Sequence, residues 1–236
     1  MIPKTIHLCW FSNDPYPVEI RVCLDTWHRL LPDYRIRLWD YAAAKAIGCR
    51  FIDEALEERK WAFAADVVRF YAVWKEGGVY MDSDIFLFRR FDELLTDEGF
   101  VTFNERCFPE QTVFGLQAAC FMGSAGNEFC RRMYEFYCHT PYRQADGSLF
   151  STVSPFVMAG IAKEYGWRED DVEQHCGALT VYPTRLLIPR NHYAQCNGAI
   201  GQHRIYGSWR KRKLGRRVEV ALKHWYHVVR YALLRR

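Results

Sequence analysis

The stretch from Trp61 to Asp84, Trp-Ala-Phe-Ala-Ala-Asp-Val-Val-Arg-Phe-Tyr-Ala-Val-Trp-Lys-Glu-Gly-Gly-Val-Tyr-Met-Asp-Ser-Asp, constrains the fold more than any other part of the chain. Phe63, Val67, Phe70 and Trp74 recur at helical spacing. Residues 61 to 76 are therefore expected to form a helix with one face on the core, flanked by Asp66 and Arg69. Gly77-Gly78 ends that helix, because glycine takes the left-handed backbone of a tight helix-to-strand turn without a Cβ penalty. The apolar, aromatic and β-branched run from Val79 to Phe88 then predicts a buried strand of a mixed sheet. Alternation along that strand puts Tyr80, Asp82 and Asp84 on one side, the two aspartates roughly 6 to 7 Å apart at Cα.

Two carboxylates at the end of an apolar strand repel each other and resist desolvation unless a cation or hydrogen-bond donors offset them. Oxygen ligands of this kind suit Mg²⁺ or Mn²⁺, with nucleotide phosphates completing the shell. An Asp-x-Asp tripeptide alone is common by chance. Its weight comes from its place after a helix and a double glycine, in a strand where unpaired acids are costly. The plainer alternatives are two solvated acids at a strand end and, for Asp66 and Arg69, a surface ion pair worth about 0.2–0.5 kcal/mol.

The chain has 236 residues, 50% hydrophobic and 16% aromatic, enough to bury the core of one α/β domain. Nine cysteines form no Cys-x-x-Cys pair and no zinc-like cluster, and their count is odd, so reduced thiols in a cytoplasmic setting are expected. The first residues resemble no signal peptide, and no run reaches the ~18 apolar residues of a membrane span. The charge is divided unevenly. Residues 210–236 hold ten Lys/Arg against Glu219, a net +9, while the 22 Lys/Arg and 27 Asp/Glu of residues 1–209 leave −5. In that tail Val218, Leu222, Trp225, Val229 and Leu233 form an apolar stripe opposite Arg216, Lys223, His227 and Arg230. Such a helix either lies on an anionic membrane surface or docks on the domain with its basic face in solvent. No recognisable nucleic-acid-binding fold accompanies the charge, so no nucleic-acid partner is expected.

Along the rest of the chain, residues 2–11 read as a first strand ending at Trp10 and Phe11. Trp10 then sits where ligands collect in open α/β sheets, either stacking on a base or serving as core. Val18–Leu31 reads as a helix stopped by Pro32, Tyr34–Trp39 as a strand and Ala42–Glu58 as one helix. Phe100–Asn104 is an expected strand, Gly126–Cys138 helical, and Ser148–Ala159 a loop entering a helix with Pro155 in its first turn. Val181–Pro183 and Leu186–Pro189 are expected short strands, and Gly201–Trp209 a final loop.

Four ordered motifs carry a family resemblance. They are Ile-Pro-Lys-x-Ile-His-x-Cys-Trp at 2–10, Trp-Ala-Phe-Ala-x-Asp-x-x-Arg at 61–69, Gly-Gly-x-Tyr-x-Asp-x-Asp at 77–84 and His-x-x-x-Gly-Ser-Trp at 203–209. Across residues 1–209 the chain resembles glycosyltransferase family 32, the DXD sugar-binding type. That family includes bacterial capsular polysaccharide enzymes and yeast mannosyltransferases, and is similar to the clostridial glucosylating toxin core. The resemblance implies a GT-A domain over 1–209, a nucleotide-sugar donor, a divalent metal and retention of anomeric configuration. It places Trp10 on the base, Tyr80 against the nucleotide, and Asp66 and Arg69 on the donor sugar. Asp82 would touch ribose, sugar and metal, Asp84 would ligate the metal, His203 would lie near metal and diphosphate, and Ser208 and Trp209 would close on the leaving phosphate. The chain departs from the pattern at His203-Arg204, where a second histidine is usual, and at Ser154-Pro155, where Gly-Pro is common.

These residues together predict a transferase moving a hexose, from a UDP-sugar, to a lipid-linked or surface glycan at the inner face of the plasma membrane. Two other classes compete. A haloacid-dehalogenase-like phosphatase also ends an apolar strand in Asp-x-Asp, yet Phe86 stands where its Thr or Val is expected. A non-catalytic membrane-binding module would use the tail but leaves the two acids unexplained.

Overall fold

The computed structural model describes residues 1–96, 98–105, 115–189, 198–205, 222 and 226. The chain runs β1 (Thr5–Cys9), α1 (Val18–Leu30), β2 (Arg35–Trp39), α2 (Tyr41–Lys45), α3 (Arg50–Glu57), α4 (Trp61–Glu76), β3 (Gly78–Met81) and β4 (Ile85–Leu87). It continues through β5 (Phe100–Glu105), β6 (Gly115–Leu116), β7 (Cys120–Gly123), α5 (Glu128–His139), α6 (Ser154–Glu164), β8 (Gln174–Cys176), β9 (Leu179–Tyr182), β10 (Leu187–Pro189) and β11 (Gly201–His203). The main sheet has the order β2-β1-β3-β7-β5-β9-β8, with β6 beside β5, and a small sheet has the order β10-β11-β4. β1 is parallel to both β2 and β3, whereas β7 runs antiparallel to β3 and β5. The result is the expected α/β architecture with a mixed central sheet.

Helix α4 forms over the predicted residues, but it is buried on most of its circumference rather than on one face. Ala64, Val67, Val68, Phe70, Ala72 and Val73 are all fully buried. Phe70 stacks on Phe121 of β7 at 4.9 Å, and Tyr80 stacks on the same ring at 5.4 Å, so an aromatic column pins α4 to β3 and β7. At the end of α4, Gly77 has φ 65° and Gly78 φ 113°. A Cβ on Gly78 would lie 2.5 Å from the Thr5 carbonyl oxygen, so the backbones of β1 and β3 approach where no side chain fits. His7 locks the same turn. Its Nδ1 accepts from the Trp39 indole at 3.1 Å, which leaves Nε2–H to donate to Gly77 O at 2.8 Å. Burial holds that imidazole below its ordinary pKa and neutral.

Three further expectations are corrected. The acidic strand breaks after Met81: Asp82-Ser83-Asp84 is a turn, closed by Ile85 N–H donating to Asp82 O at 3.0 Å, and the chain then enters the other sheet as β4. Asp and Ser favour such turns and resist a fully buried strand. The single helix expected at 42–58 is split into α2 and α3 at Gly48, whose φ is 69°. The expected final loop begins as β11, which exists because it pairs with β4 and β10.

Candidate active site

The turn at Asp82 lies at the carboxyl end of β3, on the sheet edge where β1 also ends. Its backbone is held by Asp82 N–H donating to Ala119 O at 2.7 Å. The small sheet then supplies the third member. Register sets His203 opposite Ile85, and Arg204 N–H donates to Asp84 O at 3.1 Å, so a residue 119 positions away in sequence comes beside Asp84. Helix α1 fastens β4 in place: Trp27 Nε1 donates to Ile85 O at 2.8 Å, and Leu87 N–H donates to Thr26 Oγ1 at 3.1 Å.

Asp82, Asp84 and His203 each offer a ligand atom, and these atoms all lie within 4.8 Å of one another. His203 Nε2 is 3.5 Å from Asp84 Oδ1, while its Nδ1 is buried with no hydrogen-bond partner among the described residues. Burial alone would lower the imidazole, but the Asp84 carboxylate, with Glu105 and Asp82 behind it, lifts it to about 9. Two carboxylates and one imidazole, without a thiolate, form a donor set suited to a hard or borderline divalent cation such as Mn²⁺ or Mg²⁺. The residues fit the implied metal.

Beneath this cluster Arg69 is buried at 5% exposure, well outside the surface ion-pair alternative. Its Nη2 lies 3.1 Å from Asp66 Oδ1 and 3.4 Å from Asp82 Oδ1. Nη1 donates to Ala118 O at 2.6 Å and Nε to Ala65 O at 3.1 Å. The guanidinium also lies over the Tyr80 ring at 4.7 Å, and Tyr80 O–H donates to Asp82 Oδ1 at 2.6 Å. Burial raises the Asp82 carboxyl, an effect that Arg69 opposes and Asp84 reinforces. Burial likewise raises Asp66 to about 6 against the pull of Arg69. Asp66 and Asp82 thus share one buried guanidinium, while Asp84 lies beside His203, and the excess of carboxylates favours a cation among Asp82, Asp84 and His203.

Asp66 has two further supports that the sequence did not announce. Ser154, at the start of α6, hydrogen-bonds its carboxylate, and Tyr137 of α5 lies 2.7 Å from the same Ser154 hydroxyl. Both residues are fully buried. The only sequence trace of this relay is the Ser154 hydroxyl in place of a glycine. Trp10 sits one residue past β1 on the same edge, half-buried, with Nε1 donating to Asp14 O at 3.0 Å and its ring edge-on to Tyr16 at 4.8 Å. Ser208 and Trp209 lie outside the described residues, as does most of the tail; Leu222 and Tyr226 are exposed.

The chain is similar to known glycosyltransferases. Residues 17–101 match the family profile described as a glycosyltransferase sugar-binding region containing a DXD motif. The chain is 32% identical over 101 residues to inositol phosphoceramide mannosyltransferase 3 of Schizosaccharomyces pombe, a match covering 40% of this chain and 27% of that protein. Among solved structures it is similar to the PaToxG glycosyltransferase, with a TM-score of 0.56, 17% identity and 69% of each chain covered. A glycosyltransferase involved in glycosylation of the major capsid of PBCV-1 aligns over 85% of this chain and 93% of its own, with 12% identity and a TM-score of 0.47. The fold is GT-A.

Removing the shared cation leaves the buried Asp66 and the part-buried Asp82 carboxylates without their guanidinium, so Arg69→Met is expected to destabilise the fold by about 3–5 kcal/mol in denaturant unfolding. A loss under about 1 kcal/mol is the behaviour of a solvent-screened pair and would contradict this burial-based account.

Proposed function

We propose that this chain is a metal-dependent, retaining glycosyltransferase that moves a hexose from a nucleotide sugar, UDP-linked, to a lipid-linked oligosaccharide or surface polysaccharide. The observation that carries the reading is the Asp82, Asp84 and His203 cluster at the carboxyl edge of a GT-A sheet. The matched sugar-binding region contains both aspartates. Ligands of open α/β sheets bind at that edge.

Breaking a sugar-phosphate bond develops positive charge at the anomeric carbon and negative charge on the departing diphosphate. A divalent cation held by Asp82, Asp84 and His203 supplies charge that stabilises the leaving diphosphate. The protein's own part is positioning. Arg69 fixes the Asp82 and Asp66 carboxylates in one orientation, and Tyr80 donates to the same Asp82 oxygen that Arg69 holds. Asp66, ionised above pH 6 and held by Ser154, accepts hydrogen bonds from hydroxyls of the donor sugar. With its guanidinium spent on Asp66, Asp82 and two backbone carbonyls, Arg69 acts on the sugar through those carboxylates. Trp10, half-buried one residue past β1 at the sheet edge, takes the base. Ser208 and Trp209 close on the leaving phosphate.

Release of free nucleotide from a panel of UDP-, GDP- and CMP-sugars with Mn²⁺ tests the reading. The parent should turn over one donor, and Asp84→Ala should lose at least about 100-fold in kcat, the scale of a lost electrostatic stabiliser. Full turnover by Asp84→Ala would remove the metal assignment, and phosphate release from a simple phosphomonoester in place of nucleotide release would favour the phosphatase.

Among the described residues no helix is long and apolar enough to cross a membrane. In our reading residues 210–236, a basic tail, bring the domain to an anionic membrane surface on the cytoplasmic side. Co-sedimentation with vesicles containing anionic lipid should fall when residues 210–236 are removed and when salt is raised. Unchanged partitioning of the truncated chain would overturn that role.

A further inference from the structure

Beyond the donor site, two thiols lie together without a disulfide. Cys138 Sγ is 3.8 Å from Cys49 Sγ, although the residues are 89 apart in sequence. Cys49 is the buried cap of α3, and Cys138 lies exposed in the last turn of α5. No other cysteine among the described residues is exposed. The two backbones are held in place beside the pair. Phe51, two residues after Cys49, packs on Tyr137, one residue before Cys138, at 5.0 Å, and both rings are fully buried. A disulfide needs its sulfurs about 2.05 Å apart, so closing this gap takes a movement of under about 2 Å.

We propose that Cys49 and Cys138 are a redox modification site, which a hydroperoxide converts into a reversible disulfide joining α3 to α5. The Cys138 thiolate attacks the peroxide oxygen, forming a sulfenic acid and releasing water or an alcohol. The Cys49 thiolate then attacks the Cys138 sulfur, the S–O bond breaks, and the oxygen leaves as water. Two thiols are oxidised and one peroxide bond is reduced, so the atoms and electrons balance. The order follows from access. Cys138 meets solvent, whereas burial pushes the Cys49 thiol up to about 11 even though the Phe51 and Ile52 N–H groups at the α3 N-terminus favour its thiolate. Cys49 is therefore the resolving partner. The inference is independent of the proposed transferase reaction, because it needs neither donor nor metal.

The test is to treat the reduced full-length chain with a few equivalents of hydrogen peroxide, block remaining thiols with N-ethylmaleimide, digest and map the peptides. A Cys49–Cys138 cross-linked peptide, two hydrogens lighter than its reduced parts and released by dithiothreitol, is expected. The oxidised chain should also melt higher by about 5 °C, as for a bridge closing a long loop. Cys138→Ser should remove the cross-link while leaving the fold intact, since that side chain is exposed. In Cys49→Ser, Cys138 without its resolving partner should go on to sulfinic acid. Cys138 recovered as sulfinic acid in the parent, Cys49 still alkylatable after oxidation, or Cys138 joined to a different cysteine would each overturn the proposal.

Discussion

One buried guanidinium organises this molecule. Desolvating Arg69 costs several kcal/mol, and only good geometry recovers that cost. Here the geometry uses Nε and both terminal nitrogens: two carboxylates, two backbone carbonyls and an aromatic face surround the group. Those partners come from α4, from β3 and the turn after it, and from the segment leading into β7. The ion cluster therefore ties the central helix to the central sheet, and what it stabilises is also what orients the acids of the site. The aromatic column of Phe70, Phe121 and Tyr80 does the same work from the apolar side.

The second constraint is topological. After Asp84 the chain leaves the main sheet and starts a smaller one, whose middle strand β11 returns more than a hundred residues later. Antiparallel pairing with β4 sets a single register, and a one-residue slip would turn His203 to the other side. Gly201 enforces the close approach, since a Cβ there would meet Phe86 O at 2.7 Å. Local sequence places the two acids, and non-local pairing delivers the imidazole.

This division explains what could be read from the sequence. The span of α4, the paired glycines after it, α1, β2 and the entry to α6 at Pro155 were legible, because periodicity, positive φ and proline act within a few residues. The Asp-Ser-Asp segment was misread as strand because apolar neighbours on both sides masked turn-forming residues. Their burial pattern comes from two different sheets. β7, with Cys120, Phe121, Met122 and Gly123, left no clear signal of its own, and neither did the Ala118 and Ala119 carbonyls that receive Arg69 and Asp82, since a backbone acceptor has no sequence signature. Gly201-Gln202-His203 is a strand only by virtue of its partners. At the site, Asp66, Arg69, Tyr80, Asp82, Asp84 and His203 stand out in the sequence, and the fold brings them together. Tyr137 and Ser154 were not, because a hydrogen-bond relay between two helices requires knowing how the helices pack.

In the proposed function Asp82, Asp84 and His203 act as one cation site that a nucleoside diphosphate completes. The most direct test is electron paramagnetic resonance of Mn²⁺ titrated into the chain with and without UDP. One Mn²⁺ per chain is predicted to lose its free-ion signal, more tightly when UDP is present, and a nitrogen coupling from an imidazole should disappear in His203→Ala. A free-ion spectrum that neither the chain nor UDP together with the chain alters would contradict the account.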